Sequence, residues 1–547
     1  MRRIIDFPRA DWAPWLLAAA ASACLSAVAV WFGGLNQDEG WYLYAAQMVR
    51  DGKLPFHDFF YTQGPAMPFV YAVLAPVWGM GSPLHGLLGG RVVTLALGFL
   101  ATACAVALVR RLVPPDRRRV AGLVVFATLA CNVYHLYFTT IPKTYSLGSL
   151  FLLAGLLLVA RALIPSRGVF RPGRGASLLL FLGGLSLAFA TGTRISLLLI
   201  LPVAGFTLLL RFRDFRWSFA WFGLGGALGL FLTYGLFALD PVSLRALLAA
   251  QNYHAARGGF DPFFALGSVS RLARGYAALG VVLFAAAFMR HAIAPLGFAP
   301  GGSPRDFRSP GQSALLWILG LGFAAVFLLQ LSAPFPYDDY QVPVMGLLAV
   351  LVAAWFARRA DSAGGGWFAV LAACLVSFAS PQLQEWATYG QDRFWSHKKE
   401  QTELAKLREV GREIETVDPG GRTIFTQDLY LAVETGRAVP AGMEMGPFCY
   451  FPDMPTEEAR AVHVLNRELM DDLVRTNGCS VAACSGYAFA IAVPKCDEVP
   501  FGEQKRFFEE LKRGFRLVDS VPKFGQNATT LLILGKPAEA KPEEAAK

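Results

Sequence analysis

Charged residues are scarce in this sequence: Asp, Glu, Lys and Arg make up 16% of its 547 residues, whereas hydrophobic residues make up 54%. A soluble globular protein carries about 25% charged residues. The deficit is concentrated in residues 12–380, which hold long apolar runs, while residues 385–547 have the composition of a soluble domain. The scarcity of charge therefore excludes a wholly soluble protein and predicts a membrane part followed by one soluble domain.

Several catalytic signatures are also lacking. Residues 385–547 contain no Gly-rich phosphate loop, no nucleophile elbow and no metal-ligand spacing, and no His/Cys cluster occurs in the chain. The sequence has no internal repeat either. No cofactor is therefore predicted, and the use of a divalent metal stays open.

The long apolar runs define the predicted fold class. About 20 consecutive apolar residues are enough to cross the hydrocarbon core of a membrane. The predicted fold is a polytopic α-helical membrane protein with a C-terminal soluble α/β domain. The eleven predicted spans, some of them short, are 12–34, 86–109, 120–138, 146–164, 176–192, 195–210, 217–238, 275–290, 312–331, 342–357 and 366–381.

The distribution of arginine predicts the orientation of these spans. The net charge is +10, and arginines cluster in alternate short loops, as at Arg110-Arg111 and Arg117-Arg118-Arg119. This is the positive-inside pattern of a membrane protein rather than a basic groove, so no nucleic acid is predicted as a partner. It predicts a multi-pass membrane protein with a cytoplasmic N-terminus, which in a bacterium lies in the inner membrane. An odd number of spans then places the C-terminal domain in the periplasm.

Three segments follow from these patterns. Residues 1–384 form the predicted transmembrane domain, with two long outer loops at 33–85 and 239–274. Residues 385–536 form the predicted extracytoplasmic α/β domain, and the tail 537–547 is predicted to be disordered because it is rich in Lys, Pro, Glu and Ala. Within the α/β domain, the predicted helices are 397–416, 457–476 and 503–513, and the predicted strands are 423–425, 488–493, 516–521 and 529–534.

Four cysteines lie in this C-terminal domain: Cys449, Cys479, Cys484 and Cys496. In an exported domain they can form two disulfides with three alternative connectivities. In a cytosolic domain they are reduced thiols. The predicted topology favours disulfides, and the sequence leaves their connectivity open.

Two carboxylates, Asp38 and Glu39, directly follow the first predicted span. If residues 12–34 cross the membrane, this pair emerges at the outer surface, where a water-filled cleft can hold it ionised. A carboxylate in that place can accept a proton from a hydroxyl group. The structural alternative is that the pair caps the next helix, because a helix N-terminus favours negative charge.

A series of motifs along residues 10–360 resembles the multi-spanning GT-C glycosyltransferases that use polyprenyl-phosphate sugars. The resemblance is to the group of protein O-mannosyltransferases, aminoarabinose transferases and lipopolysaccharide-core glycosyltransferases. The resemblance rests on the combination of motifs, that is, on their order, their spacing and the side of the membrane on which they lie. They are Asp38-Glu39-Gly40-Trp41-Tyr42, Gly52-Lys53-Leu54-Pro55-Phe56-His57-Asp58-Phe59, Gln63-Gly64-Pro65, Gly90-Arg91-Val92-Val93, Gly192-Thr193-Arg194 and Tyr340-Gln341-Val342-Pro343.

The resemblance implies transfer of a sugar from a polyprenyl-phosphate donor to a hydroxyl acceptor, which is a lipid A or core saccharide, another envelope glycan or a protein. It implies an inverting displacement with Asp38 as base, in which cations stabilise the phosphate that leaves. The candidate residues are Asp38, Glu39 and Asp58 for catalysis, Arg194, Arg91 and Lys143 for the donor phosphate, and His57, Tyr61 and Tyr340 for the acceptor or donor pocket.

The sequence departs from this family in two places. The late segment often carries His or Arg before its tyrosine, but here it carries Asp338-Asp339. The Trp-Trp-Asp-Tyr-Gly signature of oligosaccharyltransferases is absent, which favours transfer of a single sugar over transfer of a whole oligosaccharide.

Each candidate also has a structural interpretation. Asp58 is a turn aspartate, His57 is a packed loop residue, Asp338-Asp339 is an exposed loop pair, and the basic residues at span ends extend their charges to the interface. The alternative function is a transporter or flippase of polyprenyl lipids or glycans, which predicts charged helices at the bilayer midplane or two related halves. A third alternative is an assembly protein whose outer domain recruits partners.

Overall fold

The computed structural model describes residues 12–78, 86–164, 174–211, 216–256, 259–292, 309–359, 364–377, 401–476, 478–486 and 500–536. The predicted strand 488–493, the predicted tail 537–547, the predicted domain boundary at 384/385 and Cys496 lie outside these residues.

Helices dominate the described part of the chain. They are α1 (Ala13–Phe32), α2 (Gln37–Arg50), α3 (Ala66–Trp78), α4 (Gly86–Leu112), α5 (Arg118–Ala130), α6 (Val133–Thr140), α7 (Thr144–Leu163), α8 (Arg174–Thr193), α9 (Ile200–Arg211), α10 (Arg216–Leu230), α11 (Leu236–Ala238), α12 (Pro241–Ala256), α13 (Pro262–Gly275), α14 (Ala277–Ala292), α15 (Pro310–Leu331), α16 (Val342–Ala357), α17 (Gly364–Val376), α18 (Glu403–Val417), α19 (Leu429–Thr435), α20 (Thr456–Ala461), α21 (Arg467–Thr476) and α22 (Phe501–Gly514).

The chain divides into two compact units. The first unit, here the helical unit, comprises Met1–Gly33, Arg91–Leu236 and Gly259–Trp395. The second unit, here the mixed unit, comprises Gly34–Gly90, Phe237–Gly258 and Ser396–Lys547. Residues from both predicted outer loops therefore fold together with the C-terminal segment.

The predicted polytopic helical fold with a small C-terminal sheet is confirmed. Each of the eleven predicted apolar segments contains a helix. Seven described helices are long and apolar enough to cross a membrane, or up to nine if each of two bent pairs counts as one span. The bends are 66° between α5 and α6 and 71° between α13 and α14. The total of eleven spans stays a prediction.

The helical unit has the surface expected of a protein in lipid. Large apolar side chains on its long helices are exposed, including Leu100, Trp221 and Phe284. Small residues allow neighbouring helices of this unit to approach each other closely. At Gly184 of α8, for example, a Cβ atom would overlap a carbonyl oxygen of α10. In lipid, helices associate through such close backbone packing.

The mixed unit contains an antiparallel sheet in the order β1-β3-β2, formed by β1 (Val481–Cys484), β2 (Arg516–Phe524) and β3 (Thr529–Gly535). The predictions for 516–521 and 529–534 are confirmed in type. Two others are wrong. Residues 423–425 form only isolated bridges, and the predicted helix 457–476 is the pair α20 and α21.

The cysteines of this unit that the structure describes are buried thiols: Cys449, Cys479 and Cys484. Burial raises the pKa of the Cys449 thiol. No disulfide joins these three described cysteines to one another, so the favoured disulfides are not formed among them.

Glu444 is a buried carboxylate in the mixed unit, and its Oε2 accepts the Gly442 N–H at 2.8 Å. Burial raises its pKa from the ordinary value of 4.5 to about 7. The folded state therefore holds this proton more tightly than the unfolded state does. The stability contributed by this group is fully present below about pH 4.5 and is lost as the pH rises to about 7.

We expect Glu444→Gln to raise the stability of the protein at pH 8 by about 3 kcal/mol, because the amide keeps the acceptor oxygen and cannot ionise. At pH 4 the difference should vanish. Thermal unfolding of the full-length protein at both pH values measures this. An unchanged pH dependence in the variant would contradict it.

Candidate functional site

Lys143 lies at the N-terminal end of α7 in the helical unit and meets the segment that precedes α16. Its Nζ lies 3.2 Å from Asp339 Oδ2, and its side chain is only 8% exposed. The hydroxyl of Tyr145 donates to the same carboxylate oxygen at 2.9 Å. The ammonium group also lies 5.3 Å from the centre of the Tyr145 ring. Lys143 is therefore fixed by an ion pair and an aromatic ring.

Arg194 reaches the same segment from the loop between α8 and α9. Its guanidinium carbon lies 4.6 Å from the centre of the Tyr340 ring and 5.1 Å from that of Tyr145. One terminal nitrogen donates to the Thr144 hydroxyl at 3.4 Å. The structure thus brings three predicted residues together: Lys143, Arg194 and Tyr340.

A third cation, Arg271 of α13, completes this arrangement. Its Nε lies 2.9 Å from Asp338 Oδ1, and the hydroxyl of Tyr134 donates to Asp338 Oδ2 at 2.5 Å. Both carboxylates of the Asp338-Asp339 pair are 15% exposed. The structural interpretation of an exposed loop pair is therefore wrong, because both residues are ion-paired and largely buried.

We call Lys143, Arg194, Arg271, Asp338 and Asp339 the cation cluster. It combines three cations with two carboxylates, so its formal charge is positive. Arginine can hold a phosphate through two parallel hydrogen bonds. The cluster can therefore bind one anionic group while its carboxylates keep the cations in place.

Arg91, the remaining predicted phosphate ligand, is placed differently within the helical unit. Its side chain is 1% exposed, and Nη1 donates to the carbonyl oxygens of Val30 and Gly33 at 3.0 Å each. Those carbonyl groups belong to the C-terminal end of α1, where backbone acceptors lack helical partners. Arg91 therefore satisfies the end of that helix.

The acidic pair lies in the first turn of α2, in the mixed unit. The N–H of Asn36 donates to Glu39 Oε1 at 3.0 Å, and the N–H of Asp38 donates to Asn36 Oδ1 at 3.0 Å. The first of these bonds belongs to a capping box, in which the Asn36 side chain also accepts from the Glu39 backbone, and this box fixes the start of the helix. Glu39 is fully buried, whereas Asp38 is half-buried. The two carboxylates thus have distinct environments, and Glu39 holds the turn that presents Asp38.

A contact distant in sequence also holds this turn. The N–H of Gln37 donates to Gln526 Oε1 at 2.9 Å. Gln526 lies in the turn between β2 and β3, where Gly525 has a φ of +71°. A side chain at Gly525 would overlap the Tyr430 hydroxyl, and one at Gly40 would overlap the Tyr430 backbone. The β2–β3 turn and α19 therefore fix the start of α2.

Asp58 and His57 lie in the loop after α2. Asp58 Oδ2 accepts the Leu54 N–H at 2.7 Å, and Oδ1 lies 3.0 Å from His57 Nδ1. Desolvation raises the pKa of Asp58, but these hydrogen bonds outweigh it and lower the pKa overall. The hydrogen bond to Asp58 raises the pKa of the exposed His57. These contacts show Asp58 in a turn-stabilising position.

Tyr61 is fully buried in the mixed unit, among the rings of Tyr42, Phe56 and Phe59. The ring centres lie 6.1 to 6.4 Å apart in edge-on arrangements. Among the residues that the structure describes, no group of three or more His, Cys, Asp or Glu side chains could hold a metal ion.

Sequence patterns did not point to Arg271, Tyr134, Tyr145 or Gln526. The pair Asp338-Asp339 gave one usable signal for these contacts. Its carboxylates lie on the predicted outer side, where candidate cations were also predicted, so ion pairs between them could have been expected. Gln526 offered none, since it is 489 residues from its partner in the chain.

The chain has the GT-C fold, which is built on a bundle of membrane-spanning helices. The crystal structure of ArnT from Cupriavidus metallidurans bound to undecaprenyl phosphate is similar to it, with a TM-score of 0.60 and 12% sequence identity over 96% of this chain and 99% of that chain. The apo structure of the same protein gives a TM-score of 0.58 and 12% identity over 95% and 97%. No family model and no curated protein matches the chain by sequence.

Proposed function

We propose that this protein is a membrane glycosyltransferase that moves a single sugar from a polyprenyl-phosphate donor to a hydroxyl acceptor. The main support for this proposal is the cation cluster, in which Lys143 and Arg194 are placed to bind an anion. The similar structure of ArnT was determined with undecaprenyl phosphate bound. The positive charge, the stacked guanidinium and the tyrosine rings suit a phosphate group attached to a lipid.

In the proposed reaction, Asp38 accepts the proton of the acceptor hydroxyl. The acceptor oxygen forms a bond to the anomeric carbon of the sugar as the bond from that carbon to the phosphate oxygen breaks. The electron pair of the broken bond leaves with the polyprenyl phosphate, and the anomeric configuration inverts. The phosphate needs no proton to leave, but its growing negative charge requires cations. We assign that task to Lys143 and Arg194.

Other candidates receive supporting roles in this proposal. Glu39 fixes the first turn of α2, Arg91 satisfies the end of α1, and Asp58 stabilises the loop that carries His57. Tyr340 stacks on Arg194 and orients its guanidinium. Tyr61 belongs to the aromatic core rather than to a pocket surface.

The cellular setting is part of the proposal. The enzyme lies in a bacterial inner membrane and acts at the periplasmic side, on a lipid A or core saccharide, an envelope glycan or a protein. The distribution of arginine in the sequence supports this orientation.

The test is sugar transfer by the purified full-length protein in lipid nanodiscs. Undecaprenyl phosphate with a radiolabelled sugar is supplied with envelope glycolipids or proteins as acceptors, and labelled product is separated from donor. We expect labelled acceptor and released undecaprenyl phosphate in equal amounts. Movement of the intact labelled donor across a liposome membrane, without transfer, would support the flippase instead.

A further prediction concerns Gln526. Gln526→Ala removes the acceptor for the Gln37 N–H and loosens the turn that carries Asp38, so kcat should fall about 10- to 100-fold while KM for the donor changes little. Gln526→Glu keeps an acceptor oxygen and should restore most of the activity. Its added charge should move the acidic limb of the pH profile upward, since it raises the pKa of a nearby carboxylate.

The matched control is Asn527→Ala, which changes the exposed neighbour in the same turn. An equal loss in the control, or no rescue by Gln526→Glu, would show that Gln526 serves only the stability of the hairpin.

A further inference from the structure

Four arginines converge on one cavity of the helical unit. The cavity has a volume of about 260 Å³ and is lined by Ala107, Arg110, Arg111, Arg118, Leu157 and Arg161. Arg110 and Arg111 lie in the last turn of α4, Arg161 lies in the last turn of α7, and Arg118 begins α5. Three helix ends therefore direct guanidinium groups to one place.

This cavity is separate from the cation cluster. Lys143 lies at the N-terminal end of α7, and Arg161 lies 18 residues further along near its C-terminal end. At 1.5 Å per residue, this places the two cations about 27 Å apart along the helix. The arginine cavity therefore lies at the opposite end of α7 from the proposed donor site.

Carboxylates are scarce in the part of the chain that forms the cavity. Between Asp58 and Asp214 the sequence contains a single acidic residue, Asp116. Its Oδ2 lies 3.1 Å from Arg117 Nε. No carboxylate is among the described residues that line the cavity. The positive-inside rule accounts for arginines on one side of a membrane, but not for four of them around one cavity.

The cavity wall is fixed by hydrogen bonds. Arg111 Nη1 donates to the Ile164 carbonyl oxygen at 3.1 Å and so joins the ends of α4 and α7. Gln312 Nε2 donates to the Arg111 carbonyl oxygen at 3.2 Å, and Arg358 Nη2 donates to that of Leu112 at 3.1 Å. These contacts hold the end of α4 and thus the positions of its arginines.

The lining also changes in polarity with depth. Ala107 lies one turn before Arg110 on α4, and Leu157 lies one turn before Arg161 on α7. The cavity therefore has charged groups at the helix ends and apolar groups one turn further into the bundle. This gradient matches an amphiphile whose phosphate lies at the helix ends.

We propose that the arginine cavity binds a phosphate-bearing anion, in the form of an anionic phospholipid headgroup or a soluble phosphate. Basic pockets between membrane helices commonly hold anionic lipid headgroups. Arginine suits this ligand because its planar fork pairs with two phosphate oxygens. A bound phosphate joins α4, α5 and α7 at the end of the bundle.

The test measures ligand binding to the full-length protein in a neutral detergent. The probes are dioleoyl phosphatidylglycerol, dioleoyl phosphatidylcholine and inorganic phosphate, and bound lipid is counted by native mass spectrometry. We expect at least about tenfold tighter binding of phosphatidylglycerol than of phosphatidylcholine. Arg118→Gln with Arg161→Gln should weaken that binding about 25-fold, or about fivefold per arginine.

The control pair is Arg211→Gln with Arg359→Gln. These arginines also lie at helix ends, but they stack on Trp317 and Trp355 and do not line the cavity. The control pair removes the same total charge and should change binding less than about threefold. Arg118→Lys with Arg161→Lys keeps the charge and shows binding even if the Gln pair fails to fold.

The outcomes are distinct. Phosphatidylglycerol binding that phosphate does not displace supports a lipid ligand, and displacement by millimolar phosphate supports a soluble one. Equal binding of both lipids without an effect of phosphate, or an equal loss in the control pair, overturns the proposal.

Discussion

Asp38→Asn should lower kcat for sugar transfer about 1,000-fold. The amide has the shape of the carboxylate but cannot accept the proton of the acceptor hydroxyl. The capping of α2 should persist, because the Asn36 side chain accepts a hydrogen bond from the backbone N–H of residue 38. The side chain of residue 38 takes no part in that bond. Folding should therefore be retained, as judged by gel filtration and thermal unfolding, and KM for the donor should change little.

Glu39→Gln is the matched control for this prediction. The amide oxygen that replaces the Glu39 carboxylate oxygen can still accept the Asn36 N–H, so the capping box is preserved. We expect less than about a tenfold loss of kcat. If the substitution at Glu39 is as damaging as that at Asp38, or if Asp38→Asn remains active, Asp38 is not the base.

Arg194→Gln should lower kcat/KM about 100- to 1,000-fold, since it removes a cation that stabilises charge developing on the phosphate. The loss should fall mainly on kcat, because the charge is greatest as the sugar–phosphate bond breaks. Arg194→Lys should recover only part of the activity. Lysine keeps the charge but loses both the planar fork and the stacking on Tyr340 and Tyr145. Steady-state kinetics with the labelled donor measures both variants.

Arg211→Gln serves as the control, since this arginine also lies at a helix end and stacks on an aromatic ring, that of Trp317. Its kcat/KM should stay within about threefold of the unaltered protein. A comparable loss in the two variants would trace the effect to general stability, and an active Arg194→Gln would remove Arg194 from the reaction.

Local patterns were enough to predict much of the helical unit. Apolar length placed helices in all eleven predicted segments, because each span must satisfy its own backbone within lipid. Local sequence also predicted the sheet strands after residue 515, such as the apolar run Leu531-Leu532-Ile533-Leu534. The broken helix at 457–476 was missed because its interruption depends on a bridge between Tyr450 and Leu465, which local sequence does not encode.

Some candidate residues that the sequence named lie together in the structure. Lys143 and Arg194 were named as basic residues on the predicted outer side and Tyr340 from the family resemblance, and α7, the α8–α9 loop and the segment before α16 bring them together. The partners of the carboxylates were not predictable. Asp338 and Asp339 depend on Arg271, Tyr134, Lys143 and Tyr145, and these pairings arise only when distant helices pack.

The mixed unit is assembled from three separate stretches of chain. If the last stretch alone is replaced by that of a relative, the hydrogen bond between the Gln37 N–H and the Gln526 side chain is lost. Chimeras between related enzymes should therefore remain active only when 34–90 and 396–536 come from the same parent. A graft of the carboxy-terminal portion by itself would leave the turn that carries Asp38 unsupported, so the two stretches have to be inherited together.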